Sequence, residues 1–121
     1  FARLGVHPSI DFATLKSYGE GRESSGRIHI DGTIPRVAGW TVLLVDDIID
    51  SGLTLSFAQG LMLRGGAAEV KTCALLDKPA RRRAGQGADY VGFEIPDHFV
   101  VGCGLDDAGK YRGLPFIGRV D

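Results

Sequence analysis

The stretch "VLLVDDIIDSGLTL", residues 42–55, decides the fold. From Trp40 to Val45, five residues in six are apolar, and they run into Asp46 and Asp47. Asp50 follows three residues later, then Ser-Gly-Leu-Thr. An unbroken apolar run of this length predicts a parallel strand covered on both faces. Leu53, Phe57, Ala58, Leu61 and Met62 then follow helical spacing. They predict a helix that starts near Ser51 and stops at the Gly65–Gly66 pair. A second apolar strand, "EVKTCALLDK" (69–78), completes a β-α-β unit with a right-handed crossover and a parallel strand pair.

Outward from this unit, "DYVGFEI" (89–95) predicts a third strand. "HFVVGCGLD" and "PFIGRVD" predict short strands flanking a loop. On the other side, residues 9–18 and 27–31 read as strands. The polar, Gly/Ser-rich segment 19–26 between them reads as an exposed loop capping a hairpin. There is no repeat, low-complexity tract or linker. The fold class is α/β, with a mostly parallel twisted sheet flanked by helices in a single domain, residues 1–121.

Composition narrows the function classes. The 121 residues suffice for one core, and 44% hydrophobic with 24% charged residues is ordinary for a soluble domain. A net charge of −1 gives no general field for nucleic acid. No apolar run approaches the roughly 20 residues that span a bilayer. The opening "FARLGVHPSIDF" has no signal-peptide pattern. Cys73 and Cys103 sit in apolar surroundings and read as reduced core thiols rather than a disulfide. A cytoplasmic location is expected. The 18 glycines imply many turns or close backbone approaches.

The three aspartates need an explanation, because crowded like charges disfavour one another's ionised forms. In open α/β sheets, ligands bind at the carboxyl ends of the strands, where Asp46 and Asp47 fall. The next turn, "DSGLT", opens a helix whose first amides are free to hold a phosphate. Gly52 permits close approach, and the Ser51 and Thr54 hydroxyls add donors. Carboxylates beside phosphate donors suit a phosphorylated sugar, and Mg²⁺ would relieve the crowding. A nucleotide hydrolase is disfavoured, because no "GxxxxGK[ST]" loop is present. A phosphorelay receiver domain, with Asp77 as phosphoacceptor and Lys78 nearby, leaves "DSGLT" and everything after Asp89 unexplained. Helix capping alone does not account for the ordered set of acids, hydroxyls and glycine.

The segment resembles the phosphoribosyl-pyrophosphate signature of the type I phosphoribosyltransferases. "LKSYG", "ALLDKP" and "DYVGFEIPDHFVVGCGLDDAGKYRGLP" resemble the hypoxanthine-guanine branch of that family. The likeness runs from about Ile10 to the end. It implies the type I phosphoribosyltransferase fold, with a small C-terminal base-binding subregion. It also implies purine salvage: transfer of the phosphoribosyl group from phosphoribosyl pyrophosphate to hypoxanthine or guanine, with Mg²⁺. By that likeness, Asp46 and Asp47 would meet the ribose hydroxyls, directly or through the metal. Asp50 would be the general base or acid at purine N7. Ser51, Gly52, Leu53 and Thr54 would cradle the 5′-phosphate. Lys78 would reach the 6-oxo group, Phe99 would stack on the purine, and the Val100 main chain would meet its edge. Asp106 would help hold Mg²⁺, Arg112 would meet pyrophosphate, and Ser17 and Tyr18 would belong to a lid. A homodimer or homotetramer is expected. A non-catalytic nucleotide sensor of the same fold is the alternative.

Two expectations stand apart. The Arg81–Arg83 run reads as a solvated basic loop, and the three histidines show no metal-ligand spacing. The family's upstream strand and pyrophosphate loop are not matched in this chain. We expect the sequence to be an incomplete stretch of a longer enzyme, inactive as it stands if so. The flanks of buried strands should then be exposed.

Overall fold

The computed structural model describes residues 2–18, 27–85 and 87–120. A 3-10 turn at Ala2–Leu4 precedes strands β1 (Thr14–Tyr18) and β2 (Arg27–Asp31), which pair antiparallel. The pairing is the expected hairpin, although residues 6–13 are irregular rather than strand. The loop 19–26 lies outside the described residues. Next come β3 (Thr41–Ile49), helix α1 (Leu53–Arg64) and β4 (Glu69–Asp77), then a 3-10 turn at Pro79–Arg81 and β5 (Tyr90–Glu94). These strands form a parallel sheet in the order β3-β4-β5. Finally, β6 (Phe99–Val101) and β7 (Gly118–Val120) pair antiparallel around the loop between them.

The helix boundaries follow from glycine. Gly52 takes the N-cap position at φ 82°, a backbone state that L side chains avoid. Gly65 closes the other end, its amide donating to the Leu61 carbonyl at 2.9 Å. Helix α1 lays Leu55 and Met62 on one face of the sheet. Val37, Met62 and Val70 form one cluster, joined by Val42 and Leu44. Ile49, Leu55 and Ala74 form a second, nearer the carboxyl ends of the strands. Leu76, 1% exposed, is the largest fully buried side chain; burying one leucine contributes about 1.5–3 kcal/mol.

The opposite face corrects an expectation. Strand β3 is not covered on both sides: Leu43 is 42% and Val45 70% exposed. Leu75 and Tyr90 are exposed on the neighbouring strands. The described residues contain one α-helix, and it packs on the Val42–Leu44 side only. Among the described residues, β4 is the one strand paired with β3 in the sheet. Cys103 differs as well: both cysteines are free, but Cys103 is exposed and Cys73 only half-buried.

Candidate active site

Strand β3 carries Asp46 and Asp47 in its last four residues and delivers Asp50 to the turn before α1. The β3–β4 ladder is interrupted at Asp47. The Asp47 amide donates to Asp46 Oδ1 at 2.9 Å, and the Ile48 amide to Asp47 Oδ1 at 2.8 Å. Burial pushes the Asp46 carboxyl above its ordinary range, and the adjoining Asp47 carboxyl adds to the shift. The crowding inferred from sequence is thus a property of the folded chain.

Around the next turn, Asp46, Asp50, Ser51, Gly52 and Thr54 line one cleft of about 110 Å³, floored by Ile48, Ile49 and Leu55. The first bond into the helix runs from the Ser56 amide to the Gly52 carbonyl, 3.0 Å. The amides before it have no partner within the helix. The Leu53 amide is in long contact with Ser51 Oγ, 3.3 Å. Two hydroxyl-bearing and two carboxylate-bearing residues therefore line the same space at the start of the helix.

The segment after β4 is clasped beneath this turn. The Lys78 amide donates to the Ile49 carbonyl at 2.9 Å, and the Arg83 and Ala84 amides both donate to the Ser51 carbonyl, at 2.8 and 3.1 Å. A Cβ on Gly52 would run into the Ala84 carbonyl oxygen, so the position is closed to side chains by space as well as by φ. Arg82 pairs with buried Asp77 at the end of β4. Arg81 Nε donates to Asp50 Oδ1 at 2.9 Å, and Arg81 Nη1 reaches Asp97 Oδ2 at 3.5 Å. Asp50 first, then Asp97, raises the guanidinium's proton affinity above its ordinary value. The Arg81–Arg83 segment is thus not simply a solvated basic loop. Its first two arginines are committed to carboxylates because the turn at Pro79–Arg81 directs them back across the strand ends.

Lys78 is buried, 7% exposed, with Nζ 3.8 Å from Asp97 Oδ1. Phe99 begins β6 and is 55% exposed, and Val100 beside it is half-buried. Asp106 and Arg112 are brought together, Oδ1 to Nη2 at 2.9 Å, and Arg112 Nη1 donates to the Gly104 carbonyl at 2.7 Å. Ser17 and Tyr18 end β1, next to the undescribed loop. Arg81 and Asp97 are the site neighbours that the sequence reading missed. Their partners lie 31 and 16 residues away, beyond the reach of local spacing.

The donor set fits a hard divalent cation. Crowded carboxylate oxygens are the ligands Mg²⁺ prefers, and its remaining positions are commonly filled by water and substrate phosphates. Among the described residues, no group of three or more His, Cys, Asp or Glu side chains is arranged to hold a metal unaided. No helix among them is long and apolar enough to cross a membrane.

A parallel β-α-β unit with carboxylates and a phosphate-ready turn at its strand ends defines a class. Residues 4–108 match the phosphoribosyl transferase domain, and the chain belongs to that family. Among curated relatives, it is 49% identical over 116 residues to the hypoxanthine-guanine phosphoribosyltransferase of Bacillus subtilis (strain 168), covering 95% of this chain and 64% of that protein. It is 42% identical over 116 residues to the hypoxanthine phosphoribosyltransferase of Escherichia coli (strain K12), covering 95% and 65%. Its fold matches a Staphylococcus aureus hypoxanthine phosphoribosyltransferase crystal structure with TM-score 0.91 at 40% identity, covering 99% of this chain and 66% of that one. A Bacillus anthracis hypoxanthine-guanine phosphoribosyltransferase gives TM-score 0.84 at 46% identity, covering 93% and 67%. The chain thus spans just under two thirds of the length of the Bacillus subtilis relative.

Proposed function

We propose that the protein to which this chain belongs transfers a 5-phosphoribosyl group from phosphoribosyl pyrophosphate to hypoxanthine or guanine. The products are IMP or GMP and pyrophosphate. One observation carries the reading: Asp46, Asp50, Ser51, Gly52 and Thr54 share one cleft at the N-terminus of α1. Relatives named for action on hypoxanthine and guanine support the choice of base.

In this reading, the turn of Ser51, Gly52, Leu53 and Thr54 holds the 5′-phosphate on backbone amides and hydroxyls. Asp46 and Asp47 accept hydrogen bonds from the ribose hydroxyls. Asp50 takes or returns the proton at purine N7. Lys78 selects the base: an ammonium has only donors, so it matches a 6-oxo group and opposes a 6-amino group. A donor facing a donor in a buried site is costly. Phe99 offers its exposed ring for stacking, with the Val100 main chain at the purine edge. Arg112 meets the departing pyrophosphate, where a guanidinium fork suits phosphate oxygens. Asp46, Asp47 and Asp106 would hold Mg²⁺, which supplies charge neutralisation at the pyrophosphate. Ser17 and Tyr18 would belong to a lid that keeps water from the electron-poor sugar carbon. A cytoplasmic homodimer or homotetramer accords with this role.

The test is product formation by the full-length protein, given phosphoribosyl pyrophosphate, Mg²⁺ and free base. Chromatography should reveal IMP from hypoxanthine and GMP from guanine, each matched by pyrophosphate. A folded protein that binds IMP but forms no product would favour a nucleotide sensor.

A further inference from the structure

We propose that Arg81 and Asp97 are positioning residues that tie the ammonium of Lys78 to the carboxylate of Asp50, and so hold the base-binding end of the site in register. The inference rests on the function proposed above. Charge alternates along Asp50, Arg81, Asp97 and Lys78. Arg81 uses separate nitrogens, Nε for Asp50 at 2.9 Å and Nη1 for Asp97 at 3.5 Å. Asp97 uses separate oxygens, Oδ2 for Arg81 and Oδ1 for Lys78 at 3.8 Å.

Burial shows which member needs the others. The Lys78 side chain is 9% exposed, against 46% for Asp97 and 52% for Arg81. A buried ammonium requires a counter-charge. Among the described residues, Asp97 is the acid within ion-pair distance of it. The Lys78 backbone is already held by the hydrogen bond its amide donates to the Ile49 carbonyl, so the direction of the side chain is the freedom that remains. Asp97 attracts the ammonium at ion-pair distance, 3.8 Å, and leaves its N–H groups for an acceptor on the base. Arg81 in turn sets the place of Asp97, because a planar guanidinium fixes the angle between its two partners. Both exposed pairs add little to folding stability. Their effect should therefore fall on aim rather than on the fold.

The test uses Asp97→Asn, Arg81→Gln and the double variant in the full-length protein. Asp97→Asn should raise KM for the base about tenfold, with KM for phosphoribosyl pyrophosphate unchanged and a fall in melting temperature that leaves the protein folded at the assay temperature. Arg81→Gln should raise the base KM and also lower kcat, because Asp50 loses its partner. The double variant should be no worse for base KM than the poorer single, as expected of linked groups. Equal rises in KM for both substrates would overturn the inference, as would single penalties that multiply in the double variant. A melting temperature lowered enough to explain the loss would do the same. If the unaltered protein forms no nucleotide, the function itself fails and takes the inference with it.

Discussion

The two ends of the candidate site are built in different ways. The end proposed to hold the sugar and its phosphate is local: nine residues from Asp46 to Thr54 supply carboxylates, hydroxyls and backbone amides through one strand-turn-helix. The end proposed to meet the base is assembled at a distance. Lys78 leaves β4, Phe99 opens β6, Arg81 ends the 3-10 turn after β4, and Asp97 comes from the bend before β6. The first end holds its shape through backbone geometry. The second depends on half-exposed side chains that hold one another by charge. A local backbone site should fail completely when its turn is distorted, whereas a side-chain network should fail by degrees.

The largest effect should therefore come from Gly52. Gly52→Val forces a β-branched side chain into positive φ and against the Ala84 carbonyl. Nucleotide formation should disappear, and the melting temperature should fall with it. Retained activity would show that the turn is not the phosphate seat. Next is Asp50→Asn, which keeps the shape and removes the basic group. The turnover number on hypoxanthine and guanine should drop by at least about 100-fold, with stability little changed. Unchanged turnover would exclude Asp50 as the acid-base group.

The smallest effect separates a carboxylate of the site from one of the scaffold. Asp46 is pushed up by burial and by Asp47. Asp89 is held below its ordinary range by hydrogen bonds from the Thr72 amide and hydroxyl. A raised carboxyl stabilises the fold fully below the unfolded value, and that contribution is lost as pH rises through the folded value. Asp46→Asn should thus raise the melting temperature near neutral pH in metal-free buffer, and the gain should fade in acid. A lowered carboxyl behaves in reverse: it stabilises above the unfolded value and loses this as pH falls through the folded one. Asp89→Ala should lower the melting temperature near neutral pH and converge with the parent protein in acid. Parallel pH profiles for the two variants would remove the distinction.

The same contrast explains what could be read from the sequence. The β-α-β unit and its turn were legible because strand period, helix spacing and glycine positions act over a few residues. Helix α1 begins two residues beyond Ser51 because Gly52, at positive φ, lies outside it. The commitments of Arg81 and Arg82 to Asp50, Asp97 and Asp77 were not legible. They depend on how the turn after β4 folds back, and a run of arginines looks the same whether solvated or paired. Nor does an apolar strand announce which face is covered. Val45 and Leu44 are equivalent by type, yet one is 70% exposed and the other packs against the α1 cluster.

The most direct measurement is the ratio of kcat/KM for hypoxanthine to that for adenine, in the full-length protein and in Lys78→Gln. A donor-only ammonium against the 6-position should make the ratio large in the unaltered protein. In the variant, it should fall by about 100-fold or more, mainly through loss of hypoxanthine use. A ratio near one in the unaltered protein, or one that Lys78→Gln leaves unchanged, would contradict the assignment of this site to 6-oxopurines.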